Sequence, residues 1–219
     1  MKTLKEYIIE GILDIEDNIE NLTAESLIED FIRENYNTTA KIQIKKKVDK
    51  YIVSTKGHVE VKNNNITELT NGLFEWSEVG GWFSCIDCTS LKSLKYAPKK
   101  VGESFSCNGC TSLKDLIGAP KEVGVSFSCI GCTSLESLEG APEKVEWDFY
   151  CDKCISLKSL EGAPEKVGWN FYCDKCISLK SLEGAPKKVG RGFSCSKCGK
   201  KFTEEDVRAV CNVKDRIKV

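Results

Sequence analysis

Apolar positions along most of this chain recur at a step of 22 residues. Phenylalanine returns at Phe83, Phe105, Phe127, Phe149, Phe171 and Phe193, and valine at Val79, Val101, Val123, Val145, Val167 and Val189. Two leucine columns follow, Leu91, Leu113, Leu135, Leu157 and Leu179, then Leu94, Leu116, Leu138, Leu160 and Leu182. Cysteines come in pairs, Cys85/Cys88, Cys107/Cys110, Cys129/Cys132, Cys151/Cys154, Cys173/Cys176 and Cys195/Cys198. The prolines, Pro98 to Pro186, keep the same step. The unit reads V-G-x-x-F-x-C-x-x-C-x-S-L-x-S-L-x-G-A-P-x-x, five times in full and a sixth time cut short.

Phe and the first Cys lie two apart, so in an extended strand both face one side and the residue between them faces the other. The second Cys and the two leucines continue the inward set through a turn, and Gly-Ala-Pro returns the chain. One unit cannot enclose a core. Stacked units bury a continuous column, with strands bonded rung to rung at about 4.8 Å.

The unit resembles the leucine-rich repeat L-x-x-L-x-L-x-x-[N/C]-x-L, with Phe and Cys in the strand's apolar slots and the second Cys in the Asn/Cys ladder slot. It is similar to the Treponema-type repeats of Bacteroides surface proteins and to Cys-x-x-Cys repeats of large gut phages of Bacteroidales. The resemblance implies an α+β repeat solenoid of stacked short parallel strands, with a small α/β N-terminal cap and a C-terminal capping helix. Residues 1–36 read as a helical segment, 37–58 as a β-rich cap, 59–200 as the solenoid and 201–219 as the C-terminal cap.

The ends follow from local pattern. Residues 23–36 read as a helix, N-capped by Thr23. Residues 3–20 carry Ile8, Ile12, Ile15 and Ile19 on one helical stripe. Residues 40–45, 50–55 and 58–62 alternate as strands, with His58 an ordinary surface residue. Val59 to Leu69 fits the repeat, so Val61 is expected in the first Cys slot and Asn64 in the second. Thr203 is the expected cap of a helix laying Phe202, Val207, Val210 and Cys211 over the last rung.

Charge narrows the functions. The chain has 219 residues, with 32 basic against 33 acidic. That balance argues against a nucleic-acid partner, which calls for a basic surface. No apolar run matches a bilayer, and Glu6 and Glu10 interrupt any signal-peptide core, so a cytoplasmic protein with 13 reduced cysteines is expected. No carboxylate pair, activated nucleophile or phosphate loop stands out from the repeat, so no enzyme and no cofactor are expected. The Cys-x-x-Cys spacing leaves open a thiolate zinc site or thiol redox chemistry. Val61 in a Cys slot instead favours core thiols and no metal.

The residue between Phe and Cys runs Ser84, Ser106, Ser128, Tyr150, Tyr172, Ser194. The resemblance places this column on a concave binding face. Two coils carry a candidate patch there, Trp147, Tyr150, Asp152 and Lys153, repeated as Trp169, Tyr172, Asp174 and Lys175. Exposed aromatics beside charges suit an unknown protein partner.

The first eleven residues resemble the capsid-targeting peptide of internal proteins from T4-like phages, Met-Lys-Thr-x-x-Glu-aromatic-Ile-x-Glu and a small residue. That resemblance implies a packaged virion component cut between Glu10 and Gly11. Mass spectrometry of the protein from virions should then find a chain starting at Gly11; an intact Met1 excludes cleavage.

Overall fold

The computed structural model describes residues 23–219. The expected helix over residues 3–20 and the candidate processing site Glu10–Gly11 lie outside them. Helix α1 (Ala24–Asn35) starts at Thr23, whose hydroxyl accepts the Ser26 N–H while the Ser26 hydroxyl accepts the Thr23 N–H. This reciprocal box satisfies two otherwise orphaned donors. Its buried side, Ile28, Phe31 and Ile32, closes the first coil.

The chain then winds through β1 (Tyr36–Thr38), β2 (Ile42–Lys47), β3 (Lys50–Thr55), β4 (Val59–Val61), β5 (Glu75–Val79) and β6 (Phe83–Ser84). From β6 onward every coil contributes two short strands. One is the expected Phe-x strand. It extends β6 in register, Phe83 on Phe105 and so on to Phe193 on Ile217. With β4 below and β1 antiparallel at the end, these rungs make a nine-stranded sheet.

The second strand was not anticipated. It is the Lys-Val or Glu-Val pair that ends on the valine column, and it builds a parallel wall of its own. The repeat thus folds as a β-solenoid with strands on two walls. No helix lies between Val59 and Lys200 to widen one side. The Phe strands, which the leucine-rich resemblance places on a concave rim, form one wall of this β-solenoid.

The inward set is as the spacing predicts. The six phenylalanines are buried and stack as one uninterrupted column, with centroids 5.1–5.6 Å apart. Tyr36 and Trp76 finish the column at its N-terminal end. Val61 lies buried one residue beyond the Glu60–Ser84 pairing, in the first Cys slot as expected. Asn64 is not in the second. It is exposed, and the neighbouring Asn63 bonds the Asn35 amide at 2.8 Å and the Asn65 N–H. This coil takes 24 residues from Val59 to Phe83, so its turn is not superimposed on the turns above.

At the other end, α2 (Glu204–Val210) begins at Thr203 as expected, with the same reciprocal box through Asp206. Phe202, Val207 and Cys211 are buried, whereas Val210 is exposed, on the outer side of the helix. Asn212–Val213 and Ile217–Lys218 then take the next place on each wall. The cap is therefore one more coil with a helix inserted.

The second wall is broken once. Gly80, Gly102, Gly124, Gly168 and Gly190 follow the valine column, and position 146 carries Glu instead. A Cβ on Gly124 would lie 2.0 Å from the Gly102 carbonyl oxygen, and one on Gly168 1.9 Å from that of Glu146. Glu146 has a real Cβ, so its backbone cannot approach Gly124 in the same way. The bond made by Gly124 N–H to Val101 O and by Gly168 N–H to Val145 O has no counterpart from Glu146 to Val123. The wall accordingly divides between Glu122–Val123 and Lys144–Val145. We expect Gly168→Ala to cost about 2–4 kcal/mol, because the obstructing atom is backbone, and Glu146→Ala to cost about 0.5 kcal/mol or less. Denaturant midpoints of the two variants check this.

Candidate functional site

Outward positions of the Phe wall form columns of their own. Before each Phe stand His58, Trp82, Ser104, Ser126, Asp148, Asn170 and Gly192. From Ser104 to Asn170 each side chain accepts a backbone N–H from the coil above, whereas the Trp82 indole accepts none. Ser104 Oγ takes Ser126, Ser126 Oγ takes Asp148, Asp148 Oδ1 takes Asn170, and Asn170 Oδ1 takes Gly192, at 2.9–3.3 Å. His58, read as an ordinary surface residue, makes the same kind of bond two coils before Ser104. Its Nδ1 accepts the Trp82 N–H at 3.0 Å and its ring stacks on Trp82 at 4.9 Å.

The next outward column holds Tyr150 and Tyr172. Their rings stack at 5.0 Å, 3° from parallel, since in-register strands put them one rung apart. The Tyr150 hydroxyl donates to Asp148 at 3.1 Å. Partial burial, with Asp148 beside it, pushes its pKa up to about 12, so Tyr150 is a neutral donor at physiological pH.

Trp147 and Trp169 sit at the corner where the chain passes from one wall to the other. Their indoles stack at 4.4 Å while staying 44% and 37% exposed. Arg191, which the sequence reading did not single out, continues the stack 4.8 Å from Trp169. Asp215 anchors the guanidinium from above at 3.7 Å. The signal was available, because Arg191 falls 22 residues after Trp169.

Asp152 and Asp174 lie on the same wall but serve the backbone. Asp152 Oδ1 accepts the Asp174 N–H, and Asp174 Oδ1 accepts from Ser194 Oγ and the Ser196 N–H. Burial raises the Asp152 carboxyl above its ordinary range. Burial pushes Asp174 the same way, but the Ser194 and Ser196 bonds and Lys218 outweigh it and hold that carboxyl low. Lys153 and Lys175 project from the turn at φ 60° and 61°, where Gly109 and Gly131 stand two coils earlier. Ile155 and Ile177 follow the same turn in the same two coils, exposed where three earlier coils carry Thr89, Thr111 and Thr133. The sequence reading missed them because it treated that position as variable turn.

The cysteines divide into two roles. In five of the six pairs the second thiol donates to the carbonyl of the first Cys one coil below, whereas Cys88, with no Cys beneath it, lies 3.9 Å from Ile86 O. Cys110 bonds Cys85, Cys132 bonds Cys107, Cys154 bonds Cys129, Cys176 bonds Cys151 and Cys198 bonds Cys173, at 3.0–3.2 Å. This is the ladder role the resemblance implies. The first thiols fill the core beside Phe. All 13 cysteines are free, and among the described residues no group of metal-ligating side chains gathers to hold an ion. No helix among the described residues is long and apolar enough to cross a membrane. Comparisons with known protein families, curated proteins and solved structures give no match.

Burial pushes the Cys151 and Cys173 thiols well up and Cys211 up to about 11. Hydrogen bonding to Cys132 and Cys154, with burial, does the same for Cys107 and Cys129. A raised native pKa keeps these thiols protonated in the fold, while an unfolded chain ionises them near about 8.5. Their contribution is therefore complete below that pH and is lost as pH climbs from there towards the native values. Each thiol that ionises only on unfolding removes up to about 1.4 kcal/mol per pH unit. Urea midpoints should fall steeply above about pH 8.5; a flat profile to pH 10 would contradict this placement of the thiols.

Proposed function

We propose that this chain is a non-enzymatic interaction module that receives a protein partner on the Phe wall and its corner, at the coils of Trp147 and Trp169. The supporting observation is the pair of aromatic stacks left open to solvent in those two coils. Tyr150 on Tyr172, and Trp147 on Trp169 on Arg191, present rigid aromatic surface with few rotamers to freeze. Surfaces of this composition carry most of the energy in protein interfaces. Lys153 and Lys175 add charge at the rim, in a backbone conformation that favours glycine. Ile155 and Ile177 extend the apolar surface around the next turn.

The test uses the repeat's own alternative residue. Tyr150→Ser with Tyr172→Ser places in both coils the serine of Ser106 and Ser128. The loss of one aromatic pair changes stability by about 0.5–1.5 kcal/mol, so the coil stays folded. The affinity for a partner captured by the wild-type chain should fall about thirtyfold, the cost of a hot spot near 2 kcal/mol. Unchanged affinity in the folded double variant removes this patch as the site.

A further inference from the structure

The opposite end of the solenoid holds a second surface that the aromatic patch does not use. A groove of about 510 Å³ lies between the β2–β3 hairpin and the first coils, lined among others by Lys46, Lys47, Lys50, Tyr51, Glu75 and Tyr96. A hollow of about 380 Å³ continues it, sharing Lys50, Glu75 and Tyr96 and adding Lys95, Lys99 and Lys121. Six lysines thus face two carboxylates, Asp49 and Glu75, in a chain whose formal net charge is −1. Glu75 sits where the two hollows meet. It holds Lys50 at 2.8 Å and Lys99 at 3.9 Å, so one carboxylate is shared between two ammonium groups.

Tyr96 is the independent observation. The following coils place Gly118, Gly140, Gly162 and Gly184 at this position, all with φ between 78° and 94°. Tyr96 takes φ 69° there with a bulky side chain, a conformation that L residues rarely adopt. The ring is only partly buried and lines both hollows, with Lys95 Nζ 4.7 Å from its centroid. Lysines on β2 also keep that edge strand from pairing with another chain. That role accounts for Lys46 and Lys47. It does not account for Lys95, Lys99, Lys121 or Tyr96, which stand on the coils.

We propose that this groove binds an organic polyphosphate, a small anion whose phosphates meet Lys46, Lys50 and Lys99 and whose ring lies against Tyr96. Ammonium groups converging on a hollow recognise phosphate as point charges. A half-exposed aromatic at their centre supplies the second contact, for the ring.

Calorimetry on the full chain at about 50 mM salt, where electrostatics are weakly screened, tests this with inorganic triphosphate and with ATP. Both should bind, ATP the more tightly. Lys50→Glu with Lys99→Glu should weaken both about tenfold or more, and Lys99→Ala alone should weaken both in a chain that keeps the Lys50–Glu75 pair. Lys158→Glu with Lys180→Glu, on distant coils, should leave both unchanged. Tyr96→Gly restores the repeat's residue, so it should raise the unfolding midpoint. It should weaken ATP about fivefold and leave triphosphate within about twofold. Absence of binding by either probe, equal weakening by the distant reversal, or equal affinity of the two probes for the wild-type chain would overturn the proposal.

Discussion

Parallel strands in register, one rung about 4.8 Å above the next, dictate the rest of this molecule. Through the coils from Phe83 to Phe193, each wall residue sits on the residue 22 positions away. Inside, that is favourable for any apolar residue of constant size, which is why phenylalanine lies on phenylalanine at 5.1–5.6 Å through six coils. A repeat that varied this position would alternate between gaps and clashes. The same closeness sets the glycine column of the second wall. There a Cβ would stand within about van der Waals exclusion of a carbonyl oxygen, and the one departure, Glu146, coincides with the one break in the wall.

The cysteine pair is a second consequence of stacking. The first position of the pair needs a small apolar side chain beside each Phe, and Val61 meets that need as well as Cys85 does. The second position needs a small buried donor, because the carbonyl of the first Cys below it points there. A thiol reaches that carbonyl at 3.0–3.2 Å while burying little polarity. The Cys-x-x-Cys spacing, which in isolation suggests a metal, is here the distance between a core slot and a ladder slot across one tight turn.

What the sequence disclosed, and what it withheld, follows from the same physics. Phe, Cys and Leu columns were legible because each position is constrained in every coil. Both helices were legible because Thr23 and Thr203 carry complete capping boxes. The second wall was not, since a strand of two residues with one buried valine leaves no alternation to read. Without that wall, the strand face looked like the inner rim of a horseshoe. Asn64 was misplaced because the first coil is two residues longer than the others, and step-counting fails across an insertion. His58 was passed over because its partner is the backbone of Trp82, 24 residues away, not another side chain. Of the candidate patch, the stacked tyrosines and tryptophans followed from the repeat, whereas Arg191 required seeing that the column continues past the last duplicated coil.

The two coils that carry the aromatic patch also show what stacking permits on an outer face. Residues 147–167 and 169–189 differ at two positions, Asp148 against Asn170 and Glu165 against Lys187. Identical copies would set aspartate on aspartate and glutamate on glutamate one rung apart, at a cost in repulsion. Instead the Asn170 amide donates to Asp148 at 2.7 Å, and Lys187 pairs with Glu165 at 2.7 Å. Both differences therefore turn a like-charge stack into a complementary pair. Two acidic pairs remain identical, the exposed Glu161 and Glu183 and the more buried Asp152 and Asp174; in the latter Asp174 gives its backbone N–H to Asp152 while its own carboxylate is shared among Ser194, Ser196 and Lys218. The aromatic rings needed no such adjustment, because equal rings stack favourably in register. A solenoid of this kind can hold Trp on Trp and Tyr on Tyr in the open at little local cost, and its nearest-neighbour construction confines that cost to the coils concerned. The scaffold thereby frees two coils to present aromatic surface to solvent without altering the core that every other coil shares.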